Sequence, residues 1–492
     1  MLASLSMPGP APPTGLPDPG APHPATAVAG GGTDGRRLPP GLEGLLYLAL
    51  VTVSFRSIPT HLEASFPALA PLAARAALFT YEGARQTIRV DPILGGLSSL
   101  LVLCALAYFV VDLAAAKGLR SPSIERAKGI LVASAVVALL WVPTLHQAIL
   151  RRNGGDPARF AHDGGVIATE IAGRMLREGK NPYAESFRGT ELERHVYGAT
   201  NPIMEHYPYP PGNFVAAAVL EPPTHTLLGW YDQRLVTLAA SLLLVGILVR
   251  AGPGDARSRL LALAVLVNPI SLNWTIEGNN DLPFLALVVG AAILVGKGRV
   301  RSGLLVLGLA ATLKQFAWLY APYFLLVARD AGALRGAERR GRPPLFWLAL
   351  PPAIVVVPFL LWNPVAFLQD TLLYHAGQVA HPYPMGGTPG RGIANWILIL
   401  GLVKENTARF PFAIVHLAIS LPIAALAYSR LARGPRAAGR LLLACGVTTL
   451  AVTFSSRSLQ ENYLGVVTSL LAAGVLLEPG HPSSSRGVPT TP

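Results

Sequence analysis

RRNGGDPARFAHDGGVIATEIAGRMLREGKNPYAESFRGTELERHVYGATNPIMEHYPYPPGN, residues 151–213, interrupts an otherwise apolar chain. It is the longest hydrophilic interval between otherwise apolar segments. A chain that only had to re-enter a bilayer would use a turn of a few residues, so roughly sixty residues predict a site built at the membrane surface. The stretch is dense in groups that do chemistry: Asp156, His162, Asp163, Glu170, His195, Glu205, His206, Tyr207 and Tyr209. From Val166 to Leu176 the apolar Ile167, Ala168, Ile171, Ala172, Met175 and Leu176 fall on one half of a helical wheel. Thr169, Glu170, Arg174, Arg177 and Glu178 fall on the other, which predicts a short amphipathic helix lying at the interface. Gly179 and then Asn181-Pro182 end it. Asp163 stands just before this helix and reads as its N-cap. A capping carboxylate stays ionised and oriented, so the same residue is a candidate general base. Tyr207-Pro208-Tyr209-Pro210-Pro211-Gly212 reads as a stiff aromatic-proline segment, or simply as an interfacial aromatic anchor.

The surroundings of this stretch are those of a membrane protein. Of 492 residues 51% are hydrophobic and only 14% charged, and several apolar runs approach bilayer-spanning length. The net charge of +13 invites a nucleic-acid partner, but the arginines sit in short loops between apolar runs, as the positive-inside rule places them. Cys104 and Cys445 lie far apart in apolar runs and form neither a disulfide framework nor a metal motif. No metal site is expected, and no HExxH, Walker or GxSxG pattern is present.

Residues 1–40 are Pro/Gly/Ala-rich and are expected to form a disordered cytoplasmic tail, as is 478–492. Two extra spans occupy 41–126, separated by an outer loop at 58–92. A catalytic core follows over 127–477. It starts with a third span, 129–150, that delivers the chain to the 151–213 loop. Further spans are read at 235–249, 260–275, 282–295, 345–361, 411–428, 441–454 and 463–477. The segment 303–327 begins and ends beside arginines, so it must go up and come back as two half-helices broken near Leu313-Lys314-Gln315-Phe316. An apolar piece, 393–403, is expected at the interface. The expected fold is therefore an all-α polytopic membrane protein of about twelve (10–13) transmembrane helices.

This topology puts Asp163, Glu277, Asp281, His375, His381, Arg391, Arg457 and Glu461 on the outer side. Lys314 lies about 13 residues from Arg301, roughly 20 Å into the bilayer, where an ammonium is expensive unless paired. It reads either as a contact for a lipid-linked phosphate or as a structural partner of Glu277 or Asp281. Arg391 and Arg457 are further candidates for a donor phosphate, or headgroup contacts. The turn Glu277-Gly278-Asn279-Asn280-Asp281 could bind sugar hydroxyls or a divalent cation, or cap the next helix through Asn280 or Asp281. His162, His206, Tyr209, His375, His381 and Glu461 complete the candidate substrate-binding set, although lone loop histidines are more often without a catalytic role.

The order of these motifs resembles the polytopic GT-C glycosyltransferases, and within them glycosyltransferase family 87, the bacterial polyprenyl-phosphate-mannose-dependent α-mannosyltransferases and their relatives. The likeness rests on the outer loop with its aspartate, the helix ending "GKNPY", "YPYPPG", "EGNNDLPFLAL", "GLAATLKQFAWLYAPYFLL" and "WNPVAFL", and covers roughly residues 127–477. The resemblance implies a sugar donor on polyprenyl phosphate as the substrate, with no separate cofactor, and a lipid or cell-envelope glycan acceptor. It also implies a bacterial plasma-membrane enzyme acting on the extracytoplasmic face with inversion. Asp163 would then be the general base and Lys314 a donor-phosphate contact. Mannose is the expected sugar, with arabinofuranose, glucose or another sugar as alternatives. A lipid or sugar flippase would share the span count and the intramembrane lysine, but no internal repeat is visible; a non-catalytic scaffold is the third reading.

Overall fold

In a computed structural model, the described residues are 41–55, 77–81, 86–89, 92–116, 121–153, 165–194, 202–251, 256–330, 342–386, 392–435 and 437–478. The two expected tails lie outside them, except residue 478. The N-terminal elements are α1 (Leu42–Phe55), a two-stranded antiparallel hairpin of β1 (Ala77–Tyr81) and β2 (Gln86–Arg89), and α2 (Pro92–Ala116). This hairpin lies within the segment read as the outer loop 58–92. Phe79, Thr80 and Tyr81 pair with Ile88, Thr87 and Gln86, and aromatic and β-branched residues favour extended pairing over a helix.

The core helices follow. α3 (Pro122–Asn153) carries a π-helical turn at Val137–Trp141. Next come α4 (Gly165–Arg177), α5 (Gly212–Leu228), α6 (Arg234–Ala251), α7 (Ala256–Leu266), α8 (Leu272–Ile276), α9 (Asp281–Gly296), α10 (Val300–Leu313) and α11 (Phe316–Asp330). The C-terminal part holds α12 (Pro344–Val355), α13 (Val357–Trp362), α14 (Pro364–Leu368), α15 (Ile393–Ile399), α16 (Phe412–Arg433), α17 (Ala438–Phe454) and α18 (Glu461–Leu477). Among the described residues, three helices are long and apolar enough to cross a membrane, in α2, α3 and α16, and eight shorter apolar helices accompany them. On α2, Leu100, Leu103, Leu106, Val110 and Leu113 form an exposed apolar stripe at helical spacing. Such a stripe is a liability in water and the ordinary surface of a helix in lipid. The chain is a multi-pass, predominantly helical membrane protein.

Two breaks shape the core. The 260–275 span is divided where Asn268-Pro269 separates α7 from α8, because proline cannot supply the helical N–H. Asn268 Nδ2 donates instead to Gly465 O, Thr468 Oγ1 and Ser469 Oγ at 3.1, 2.8 and 2.9 Å, pinning the break to α18. The second break is the expected one. α10 ends at Leu313, Lys314 is extended (φ −150°, ψ 136°), and α11 starts at Phe316. α11 starts against α18, where Phe316 meets Tyr463, and then runs back along α17, where Tyr323 OH bonds Thr448 Oγ1 at 2.6 Å.

Away from this break, the starts of α1, α3 and α7 meet the end of α2 in a buried charge cluster. Lys128 Nζ donates to Glu43 Oε2 (2.8 Å) and Asp112 Oδ1 (2.6 Å), and Arg259 Nε donates to Glu43 Oε1 (2.8 Å). Tyr108 OH also donates to Glu43 Oε1, and Asp112 Oδ2 accepts the Gly44 N–H. The two N-terminal spans are thereby fastened to the core by groups whose charges compensate one another.

Candidate functional site

Residues 165–194 and 202–214 fold around a small core. Ile167, Ala168, Ile171, Tyr183, Phe187, Tyr207 and Phe214 pack with Phe359 of α13 and Phe367 of α14. Tyr183 makes edge-to-face contacts with Tyr207, Phe214, Phe359 and Phe367. α4 stops as expected: Gly179 takes φ +75° and Lys180 N donates to Met175 O at 2.9 Å. Of the face read as polar, Thr169 and Glu170 are buried, Arg174 is half-buried, and Arg177 and Glu178 are exposed. Residues 166–173 are buried without interruption. Thr169 Oγ1 bonds Tyr207 OH at 3.1 Å, and Glu170 takes a fork of bonds from Arg151 (2.9 and 2.7 Å).

That fork belongs to a buried cluster at the ends of α3, α4 and α6. Arg151 also donates to Asp232 (3.1 Å), Arg234 Nε donates to Asp232 Oδ1 (3.1 Å), and Glu170 accepts the Gln233 N–H (2.8 Å). Burial pushes both carboxylates up. At Glu170 it prevails over the Arg151 contacts and leaves the group above its ordinary range. At Asp232 the guanidinium groups of Arg234 and Arg151 outweigh it and hold the carboxyl below.

The turn after α8 presses against this segment. Gly278 adopts φ +104°, and a Cβ there would stand 2.0 Å from Val166 Cγ2, so only glycine lets the turn meet α4. Asn279 Oδ1 accepts the Asp281 N–H at 3.1 Å. Asn280 occupies the N-cap position of α9 without a side-chain capping bond, so the backbone bond falls to Asn279 rather than to Asn280 or Asp281. Asp281 forms an ion pair with Lys314, both buried, and its Oδ2 accepts Asn462 Nδ2 at 2.7 Å. Lys314 Nζ also lies 3.4 Å from Asn280 Oδ1, over the Tyr463 ring at 5.2 Å and the Phe316 ring at 5.7 Å. Of the two structural partners expected for Lys314, Asp281 is the one it takes. Asn213 Nδ2 donates to Leu313 O (2.8 Å), and Gly212 abuts Thr312 so closely that a Cβ would lie 2.5 Å from its carbonyl oxygen. The start of α5 is thus fixed to the break.

Between these parts lies a narrow cleft, with free space of about 10 Å³, lined by Gly165, Thr169, Tyr209, Asn213, Gln233 and Gly278–Asn280. Its walls offer hydroxyls, carboxamides and backbone amides. Lys314 and Asp281 stand directly behind Asn280, and Gly165 follows Asp163 by two residues in the sequence. Asp163, His162 and Arg391 themselves lie outside the described residues.

The remaining candidates gather nearby. His206 Nδ1 bonds Asp370 Oδ1 at 2.7 Å, and Asp370 Oδ2 accepts the Tyr207 N–H at 2.8 Å. Burial lifts Asp370 above the ordinary carboxylate range, opposed by the His206 and Tyr207 bonds. Asp370 sits in a π-helical turn, Gln369–Leu373, a form of helix that recurs at functional sites. Gln315 Nε2 donates to Pro208 O (2.8 Å), and His375 Nε2 bonds the same oxygen (3.1 Å). Because a carbonyl oxygen only accepts, His375 Nε2 carries the proton, and burial pushes its pKa down. Arg457 is buried with its guanidinium committed to three carbonyls, those of Tyr383, Ala408 (2.9 Å) and Asn406 (3.0 Å). It staples together the loops on either side of α15. His381 is exposed, Glu461 starts α18, and Glu277 caps the end of α8. Among the described residues no cluster of His, Cys, Asp and Glu could hold a metal ion.

Sequence reasoning missed Asp370, Arg151, Asp232 and Asn462. The bonds that tie them to the site join distant positions, 164 residues apart for Asp370 and His206, 81 for Asp232 and Arg151 and 181 for Asn462 and Asp281, and no local pattern announces such a pair.

The profile of glycosyltransferase family 87 matches residues 207–456, just over half of the chain. No functionally curated protein and no solved structure matches it. The chain belongs to glycosyltransferase family 87, and is a membrane-embedded glycosyltransferase of the GT-C type.

Proposed function

We propose that this family 87 protein transfers a sugar, mannose in the first instance, from polyprenyl phosphate to a lipid or cell-envelope glycan acceptor. The reaction takes place on the extracytoplasmic face of a bacterial plasma membrane, with about twelve spans surrounding the site, and inverts the anomeric carbon. Asp163 accepts the proton of the acceptor hydroxyl. The acceptor oxygen then forms a bond to the anomeric carbon as the bond from that carbon to the phosphate oxygen breaks. The bonding pair leaves with polyprenyl phosphate, whose growing charge is met by the Lys314 ammonium.

The observation that carries this reading is the buried Lys314–Asp281 pair at the broken helix, beside a polar cleft that Gly165 helps to line. An ammonium placed there by an interrupted helix is an expensive feature in a bilayer, and Asn280 and Asp281 give it only part of its coordination. Thr169, Tyr209, Asn213 and Asn279 supply hydroxyl and amide partners for a sugar. Asp370 holds His206 by Nδ1, leaving Nε2 for a substrate hydroxyl or phosphate oxygen. Arg457 acts through the 374–386 loop that it braces, and Arg391, His162, His381 and Glu461 complete the proposed substrate surface.

The test is transfer of label from radiolabelled polyprenyl-phosphate mannose into a lipid- or glycan-linked product, in membranes containing the protein and native lipid extract. A labelled product absent from control membranes is expected. Transfer from another polyprenyl-linked sugar but not from mannose would replace the sugar, and no transfer from any would overturn the reading.

A further inference from the structure

A second cleft lies on the other side of α4 and is larger, about 300 Å³, at the lower end of the sizes that take a small ligand or a lipid headgroup. Its floor is the Arg151–Glu170–Asp232 cluster, and its rim carries Arg152, Arg174, Glu221, His225 and Trp230. The acids are already engaged. Glu170 and Asp232 are held by Arg151 and Arg234, Glu221 pairs with Arg177 at 2.9 Å, and Arg174 is paired with Glu191.

Arg152 is different. It is exposed, its guanidinium lies 5.7 Å from the Trp230 ring, and no carboxylate partners it among the described residues. Beside this cation the surface turns apolar, with Leu227, Leu228, Leu145 and Ile149 all exposed. A tryptophan and an arginine at the edge of an apolar surface mark the depth of the headgroups. An uncompensated guanidinium there recognises phosphate through charge-assisted bonds.

We propose that this cleft is a binding site for the phosphate-bearing head of an anionic lipid, with Arg152 as the phosphate contact and Trp230 as the platform that orients it. The acyl or prenyl chains lie along Leu227, Leu228 and Ile149. Only Thr169–Glu170 and Asp232–Gln233 separate the two clefts, each contributing one residue to either side. A lipid seated here therefore brings its polar end next to the first cleft. Binding stands whether or not the first cleft is the transfer site.

The experiment is native mass spectrometry of the purified full-length protein, with dioleoylphosphatidylglycerol, polyprenyl monophosphate or dioleoylphosphatidylcholine added in turn. Wild type retains the anionic lipids over the zwitterionic one, and Arg152→Gln weakens them about fivefold to tenfold, as loss of one interfacial cation predicts. Arg152 is exposed, so this variant keeps its fold, and Trp230→Ala provides an independent second lesion with the same selective loss. Retention of both anionic lipids assigns the site to phosphate as such, and retention of one assigns its source. Equal retention of phosphatidylcholine, or no change in either variant, overturns the proposal. Because the readout is binding, its failure is separate from any failure of sugar transfer.

Discussion

Replacing Asp281 by asparagine preserves shape and removes one charge. Lys314 is 4% exposed and Asp281 2%, so Asp281→Asn leaves an ammonium in the protein interior with only a weak bond to Asn280 Oδ1 and two aromatic faces. The new amide can still offer its oxygen to Lys314, but its N–H₂ then faces the Asn462 amide that formerly donated to Oδ2. Breaking one side of a buried pair costs about 3–5 kcal/mol, and the cation–π contacts return about 1–2 kcal/mol at most. A net loss of about 1–4 kcal/mol is expected, seen as a lower Tm in detergent. Lys314→Met alone should lose a similar amount, by stranding Asp281. The double variant Asp281→Asn/Lys314→Met should recover most of the loss, because both charges are gone. Thermal unfolding of the four proteins closes the cycle. If the two single losses simply add, the pair is not the stabilising unit described here. The same double variant separates packing from chemistry: folded and inactive, it leaves Lys314 as a substrate contact, whereas folded and fully active it removes that role.

Other consequences are sharp enough to check. Gly278→Ala combines a positive φ with a clash against Val166, and should cost about 2–4 kcal/mol; Val166→Ala in the same chain should relieve part of it, read from Tm. His375 is kept neutral by burial, with Lys314 acting in the same direction. Its pKa is therefore lower in the folded than in the unfolded state, so its contribution is complete above pH 6.5 and is lost as the pH falls from there through the folded value. His375→Gln should flatten that part of the stability–pH curve. Arg457→Met strands three carbonyls and should loosen the loops around α15, read as faster amide exchange in 374–386 and 405–408; unchanged exchange would refute the staple.

What the sequence discloses here is punctuation. Gly179 and Asn181-Pro182 stop α4 where the pattern says, because a left-handed glycine and a proline act locally. The break at Lys314 was legible because arginines at both ends of 303–327 require the chain to return to the side it left. Pro269 carried the same kind of signal inside an apolar run, and the division between α7 and α8 follows from it. Burial of Thr169 and Glu170 on the polar face of α4 was not legible. It depends on Arg151, 19 residues earlier, and on Asp232 across an intervening helix, and a helical wheel registers polarity without saying whether water or an arginine meets it. The His206–Asp370 pair is hidden for the same reason. Lys314 falls between these cases: its need for a partner followed from depth, and the choice of Asp281 followed only from folding.

The measurement that bears most directly on the proposed chemistry is sugar transfer from radiolabelled polyprenyl-phosphate mannose by wild type and Asp163→Asn, at matched amounts of folded protein in membranes. Product is expected from wild type, with a loss of roughly 10²–10⁴-fold in the variant, the usual contribution of a positioned base. Transfer by Asp163→Asn at the wild-type rate would remove Asp163 from the reaction and overturn the proposed mechanism.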